Sequence, residues 1–478
     1  MLLTILFPFI LATSSIGEIN HATNSPIALL QQSPVVVQQV LPPGSLSPYA
    51  ALARIPHTLL EYQYASSSML GSLDSFKEHG IEPSITYVSD SAGNPVGGKY
   101  PGGFTYCDNI AFSLLLKTEK LIGWKDGYFV ISGLQRDGES LTKENLKNIF
   151  PVQQVYGGNV NTQTFHFYQL YFEQKELDDK INFKTGRFVA ADDFDSSPLY
   201  WLYMNRAIDG RPFSLSLDAG FSCPPNAVWA TRAKFKLPES IILRMGAYQV
   251  TKNSVNGLNW DFYPNDGVML LAQYEWDPEF FKPTSPSDTN PPFLTNTEQH
   301  RSARQTPGTP VPKGFVGHYW MGSYYSTFEY SQFNSTSRIP NAYGFYWHGD
   351  QTIYRPNLMS NEGLTAWTAF TLAPQDNIAL IPFQANSGLV YTGLIPTRRN
   401  DFTILGCAYG DISTTYAGVQ QTKNHVNPTY ELVYEAAYRI NTTKYSYIQP
   451  DLQWIINPGG TGKIPNALVL GFQMGIIL

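Results

Sequence analysis

From Tyr430 to Leu478 the chain alternates with a period of two. Tyr430, Leu432, Tyr434, Ala436, Tyr438 and Ile440 form an apolar row, with Glu431, Val433, Glu435, Ala437 and Arg439 between them. Ile448, Pro450, Leu452, Trp454 and Ile456 repeat the pattern against Gln449, Asp451, Gln453 and Ile455. Leu468, Leu470, Phe472, Met474, Ile476 and Leu478 close the chain against Val469, Gly471, Gln473, Gly475 and Ile477. Strand side chains alternate between faces, so each run predicts a strand with one apolar face and one polar or small face. A soluble sandwich also explains one such run, but three details favour a membrane. Tyr, Trp and Phe sit near the run ends, as in an interfacial aromatic girdle. The opposite face carries Glu431, Glu435, Arg439 and Asp451, which are costly in a dry core and natural in a watery lumen. Each run has about the 9–11 residues that a tilted strand needs to cross a bilayer. The fold class predicted is all-β, a transmembrane antiparallel β-barrel, whose closure removes both sheet edges.

Similar runs recur upstream. They start at Ile81 and continue over Ile110–Lys117, Gly127–Leu134, Phe165–Glu173 and Ile181–Phe188. A hairpin turns at Leu237–Ser240, and further runs cover Gly267–Trp276, Gly317–Tyr325, Tyr343–Tyr354, Leu364–Leu372, Ile378–Ala385 and Phe402–Ile412. With the last three the total is about sixteen, and even parity is what bacterial outer-membrane barrels use. Parity places both termini on the periplasmic side and the long segments Gln135–Thr164 and Val189–Trp229 on the outer side. The same parity puts the Pro-, Ser- and Thr-rich insertion 277–314 in the periplasm. Gly93–Gly103 is expected to be a glycine-rich loop. A short helix is expected from Leu70 into the first strand.

Residues 1–17 have the apolar core and small-residue tail of a secretory signal peptide, without a basic start. Residues 18–69, rich in Gln, Ser and Pro, are expected to be a flexible periplasmic leader, and 70–478 the barrel.

Composition narrows the classes. Charged residues are 15% and aromatics 14%, and beyond the N-terminus no apolar run of about 18 residues exists, which excludes helical spans. A formal net charge of −6 argues against nucleic-acid binding. Cys107, Cys223 and Cys407 lie far apart, with no CxxC spacing, so no metal site and no cofactor is expected; free thiols or one disulfide both remain open. GGTGK at Gly459–Lys463 lacks the first glycine and the Ser/Thr of a phosphate loop. His166, His318 and His348 fall on strands and are expected to be wall residues.

The chain resembles a carbohydrate-selective porin of the OprB family from about Leu70 to its end, with 277–314 unmatched. The specific pieces are QPDLQWIINPGG…NALVLGFQMGIIL from Gln449 and FYQLYFEQ…INFKTGRFVAADDF from Phe167 to Phe194. GNPVGG at Gly93, YWHGDQ around Asp350 and SGLVYTGLIPTRRND ending at Asp401 follow in family order. The departures are Leu478 where such barrels end on an aromatic, the missing basic start, and the three cysteines. The resemblance implies a sixteen-stranded outer-membrane barrel, narrowed by inward-folded outer loops, that passes sugars by diffusion. The partners implied are carbohydrates and small solutes in transit, outer-membrane lipid and the barrel-assembly machinery; a homotrimer stays open. Two other classes remain, a surface structural protein or adhesin and, less favoured, a barrel enzyme, though no Ser–His pair can be singled out.

A sugar is an uncharged polyol with weakly apolar ring faces, so its pore needs hydrogen-bonding side chains and an aromatic surface. The Val189–Trp229 segment holds that set: Asp192, Asp193, Asp195, Trp201, Arg206 and Arg211, with Arg187 just before it. The expectation is a constriction in which Asp192 and Asp193 face Arg206 and Arg211 across the pore. Arg232, Lys234, Lys236 and Arg244 share the lumen face and predict a basic strip attracting anions. The plain alternative is ordinary lumen lining beside Glu173, Glu275, Glu431, Glu435 and Asp451.

Overall fold

Burial divides the alternating runs into two faces. Glu431, Val433 and Glu435 are buried, while Tyr434 is exposed; Gln449, Asp451 and Gln453 are buried, while Leu452 and Trp454 are exposed. In the last run Val469 and Gln473 are buried, and Leu470 and Phe472 remain exposed. A wall whose polar side chains are the buried ones is inside out relative to a soluble domain. That is the inversion a lipid-facing barrel requires.

The computed structural model describes residues 76–155, 164–251, 257–281, 314–356, 361–443 and 446–477. The signal-peptide and leader expectations, most of the 277–314 insertion, residues 156–163 and Leu478 lie outside the described residues.

Among the described residues sixteen long strands form the wall. They are β1 (Ile81–Val96), β2 (Gly103–Lys117), β3 (Gly127–Gly138), β4 (Thr164–Glu176), β5 (Ile181–Phe188), β6 (Val228–Leu237), β7 (Ile241–Val250) and β8 (Gly267–Trp276). They continue as β9 (Phe315–Ser326), β10 (Ala342–Tyr354), β11 (Gly363–Leu372), β12 (Phe383–Thr392), β13 (Phe402–Asp411), β14 (Tyr430–Asn441), β15 (Ser446–Ile456) and β16 (Ala467–Ile477). Each pairs antiparallel with its sequence neighbour, and β1 pairs with β16 through Tyr87↔Ile476, Ser89↔Met474 and Ser91↔Phe472, which closes the ring. No sheet edge is left along the ring, as a hydrocarbon surround demands.

Tight turns at 177–180 and 238–240 lie at one end, and the long connections 139–163 and 189–227 at the other. Trp276 of β8 and Phe315 of β9 lie at the end with the tight turns. The GGTGK run is part of the connection between β15 and β16, as expected of a hairpin loop. Residues 76–78 form the helical turn before β1.

Two boundary expectations are corrected. The glycine-rich loop shrinks to 97–102, because Gly93 pairs with Phe104 and Asn94 with Gly103 in the β1–β2 ladder. Gly97 has φ +76, and a Cβ there would meet Asn466 O at 1.7 Å, so this glycine serves a close approach to a neighbouring loop. The run Ile378–Ala385 is not the twelfth strand. Ile378, Ala379, Leu380 and Ile381 are buried loop residues, and the strand begins at Phe383. Their apolarity reflects packing on the loop inside the barrel, not a face of the wall.

Candidate pore constriction

The segment 189–227 does not stand out from the barrel; it crosses the interior. Leu199, Tyr200, Leu202, Tyr203, Met204, Ile208, Phe213 and Leu215 are all buried. Thirty-nine residues this apolar cannot be a solvated rim loop, and inside the barrel they meet the inward polar row of the far wall.

The crossing is fastened strand by strand. Near its start Asp193 forms ion pairs with Lys184 of β5 (3.0 Å) and Arg232 of β6 (3.0 Å). The Asp193 carbonyl accepts from Arg244 of β7 (2.5 Å). Asp195 N donates to Gln273 of β8 (2.9 Å), and its carboxylate accepts from Trp320 Nε1 of β9 (2.9 Å). Tyr200 OH lies 2.6 Å from His348 Nδ1 of β10, and Trp367 Nε1 of β11 donates to Tyr203 OH (3.0 Å). On the far side the Met204 and Asn205 amides donate to Glu435 of β14 (2.6 and 3.1 Å). Asn205 Nδ2 donates to Gln453 of β15 (2.8 Å). On the way back Ala207 O accepts from Gln384 and Asn386 of β12. Asp218 accepts from the Leu380 and Ile381 amides, which explains why that apolar run is buried.

The 139–155 part of the preceding long connection locks onto the same loop. Arg206 N donates to Pro151 O (2.7 Å), and Gln154 Nε2 donates to Asp209 (2.6 Å). Ile149 and Phe150 amides donate to Glu431 of β14 (2.7 and 2.8 Å), and Val155 N donates to Asp90 of β1 (2.5 Å). Two loops therefore meet over the interior, and Pro151–Arg206 and Gln154–Asp209 are the contacts that join them.

The predicted residues are brought together, but not in the pairs expected. Arg206 binds Asp209, three residues on, through both its carbonyl (2.6 Å) and its carboxylate (3.0 Å). Arg211 donates to Ser216 Oγ from Nε (2.9 Å) and Nη2 (2.6 Å). Asp192 accepts from Gln169 Nε2 (2.5 Å), and Asp193 is taken by Lys184 and Arg232. The facing of Asp192 and Asp193 against Arg206 and Arg211 is thus corrected: a donor within bonding reach, the Gln169 amide for Asp192 and Lys184 with Arg232 for Asp193, satisfies each carboxylate before a distant guanidinium can. Trp201 lies over Gly210, where a Cβ would come within 2.8 Å of its ring, and its carbonyl accepts from Arg439 of β14 (2.9 Å).

Arg187 is misplaced by the sequence reading. Phe188 meets the inward rings of Tyr171 and Tyr248, and Phe183 of the other parity is exposed, so Arg187 faces outward. Its guanidinium lies between Trp229 (5.7 Å) and Trp260 (5.8 Å) and donates to Ala227 O (2.8 Å). Lys184 is the β5 cation that faces the interior.

The basic strip does face inward, but most of it is matched. Arg232 pairs with Asp193 and, at 3.7 Å, with Glu173; Lys236 pairs with Asp179, and Arg244 with Glu275 (2.8 Å). His318 and His348 are wall residues as expected, each bonded to Asp350 (2.7 and 3.0 Å). Cys223 and Cys407 are free thiols, and the Cys107 thiol donates to Val155 O.

Charge states follow from burial. Burial pushes the carboxyls of Asp192, Asp195 and Asp218 up to about 7 and that of Asp209 up to about 6. Burial opposes ionisation of Asp193 too, but Arg232, Lys184 and Arg244 overcome it and hold this carboxyl well below the usual range. Burial also draws the Arg206 guanidinium down to about 10.

Reasoning from sequence named Arg206, Arg211 and His166 but missed Asn109 and Tyr168 among the groups with unspent hydrogen-bonding capacity. Both polar side-chain atoms of Asn109 on β2, Nδ1 of His166 and the hydroxyl of Tyr168 on β4 are buried without a partner among the described residues. So are Nε and Nη2 of Arg206 and Nη1 of Arg211. Arg136 of β3 belongs to the same neighbourhood, since its charge acts on both Arg206 and His166. Parity puts Asn109 of β2 inside, but the register shift opposite Ser132 and Gly133 breaks the alternation on β4, and nothing in the sequence sets His166 and Tyr168 beside Arg206.

A closed antiparallel barrel with a loop folded across its interior and converging polar side chains defines a porin-type channel. The family model described as "Carbohydrate-selective porin, OprB family" matches residues 102–478, and the chain belongs to that family. It is therefore an outer-membrane porin for diffusion of carbohydrates and small solutes. Porin B of Pseudomonas aeruginosa is 24% identical over 433 residues, spanning 83% of this chain and 87% of that protein. A solved high-pH structure of Pseudomonas putida OprB, 21% identical, covers 85% of this chain and 96% of its own with a TM-score of 0.72. The low-pH structure of the same protein gives 0.52 at 20% identity over the same shares. At such identities these structures speak for the fold.

Proposed function

We propose that the solute path is set by the crossing loop 189–227 and not by the barrel wall. A bare sixteen-stranded barrel leaves a wide aqueous channel, so selectivity needs material that fills it. The observation that carries this reading is the fastening of one loop to the inward face of β5 through β15, with arginine donors left unspent inside. Arg206 and Arg211 each keep N–H groups without acceptors, and Asn109, His166 and Tyr168 offer donors and acceptors of their own. A sugar hydroxyl both donates and accepts, so it can serve such a mixed set, whereas a bare ion serves only half of it. Because Arg206 is held by Asp209 and the Pro151 contact, its fork is fixed before the solute arrives, which limits the entropy lost on contact. Trp201, half-buried beside Gly210, is the loop's candidate for the apolar face of a sugar ring.

The test is a comparison of wild type with Arg206→Ala/Arg211→Ala in liposome swelling and planar bilayers. The double variant is expected to conduct more, to be blocked less by sugar and to admit larger sugars. Equal conductance and equal sugar block would place the constriction elsewhere.

A further inference from the structure

Resting on the porin reading, the charges of the inward strip below the start of the crossing loop can be matched one by one. On the inward face toward the tight turns, Lys184, Arg232, Lys236 and Arg244 each have a carboxylate: Asp193, Asp193 with Glu173, Asp179 and Glu275. Lys175, also buried there, sets its ammonium over the Tyr128 ring at 5.1 Å. Lys234 differs from all of these. It shares the parity of Arg232 and Lys236, its register partners are Asn182 and Arg244, and it is half-buried. Among the described residues it makes neither an ion pair nor a hydrogen bond. The carboxylates whose charge reaches it, Asp179 and Glu173, are already engaged by Lys236 and by Arg232 with Asn182.

We infer that Lys234 is the charge-selectivity residue of this channel, a lumen cation that draws anionic solutes through the end bearing the tight turns. The argument is one of pairing. An ion pair presents little net field to a passing solute, while an unmatched charge in a low-dielectric wall presents its whole field. Four of the strip's cations are matched by carboxylates and the Lys175 ammonium lies over the Tyr128 ring, so the strip's selectivity reduces to Lys234, which has neither. Anionic solutes, chloride and carboxylate-bearing polyols alike, would be enriched beside it.

The test uses the full chain in planar bilayers under a gradient of potassium chloride, reading the zero-current potential. Lys234→Gln is expected to lower the chloride-to-potassium permeability ratio about tenfold, because one unit charge acting at about 6 Å through water shifts each ion about threefold and in opposite directions. Lys234→Glu is expected to lower it further, and Lys234→Arg to restore it. The double variant Asp179→Asn/Lys236→Gln removes a matched pair of similar depth and is expected to leave the ratio unchanged. The same ratio in wild type and Lys234→Gln, with conductance intact, overturns the inference alone. An absence of conductance in the wild type would overturn the pore reading and this inference with it.

Discussion

The hydroxyl of Tyr200 lies 2.6 Å from Nδ1 of His348, a bond that joins the crossing loop to β10 over 148 residues of chain. His348 is fixed in turn by Asp350 at 3.0 Å and by the Trp320 ring stacked on it at 3.9 Å. The loop is thus fastened to a wall group that cannot turn to follow it.

Removing that hydroxyl should loosen the loop without disturbing the wall. Tyr200→Phe leaves a buried ring nitrogen unpaired, at a cost of about 1–3 kcal/mol. The expected outcome is a lower temperature of heat-induced unfolding in SDS and noisier single-channel current, with barrel assembly unchanged. Unaltered noise would mean that the Glu435 and Gln384 contacts hold the loop by themselves.

The face assignment has a direct test at Leu470, 53% exposed on β16. Leu470→Arg places a charge on the lipid face, which costs about 2–4 kcal/mol near the bilayer midplane and less toward its edges. Membrane yield should fall sharply for this variant and hold for Leu470→Phe. The inward neighbour Gln473 is no tolerant control, because it is fully buried and bonded to Asp90, Gln154 and Arg439. Equal yields of the two Leu470 variants would invert the assignment.

Loop packing should weaken as pH rises. Asp195 titrates near 7 when folded, against an ordinary value of 3.8, so between these values the folded chain binds the extra proton. Stability then falls with rising pH across that window, being highest while the folded carboxyl keeps its proton. Asp192 and Asp218 act in the same direction. Asp193, depressed by its cations, acts oppositely, and its contribution is lost only in strong acid. Heat resistance in SDS should therefore be greater at about pH 5 than at about pH 8, and Asp195→Asn, which keeps an acceptor for Trp320, should narrow the gap. An unchanged gap in that variant would assign the effect to the other carboxyls.

The sequence by itself determined the wall. Alternation at Tyr430–Ile440 and Leu468–Ile476 sorted each side chain to the correct face, because a strand has only two faces and period two is a local property. It also marked Val189–Trp229 as too long and too rich in mixed chemistry to be idle. Only the tertiary structure decided the partners. Asp193 meets Lys184, Arg232 and Arg244 because three neighbouring strands present their inward rows to one point, and no spacing along the chain encodes that meeting. Arg187 went to the wrong side because it was judged by its nearness to the loop, while the pleat had already turned it outward beside Trp229. Ile378–Ile381 was taken for wall because burial against a folded-in loop and burial in a sheet leave the same apolar mark on a sequence. Faces are set within a few residues, and contacts across a barrel are set by closure of the whole ring.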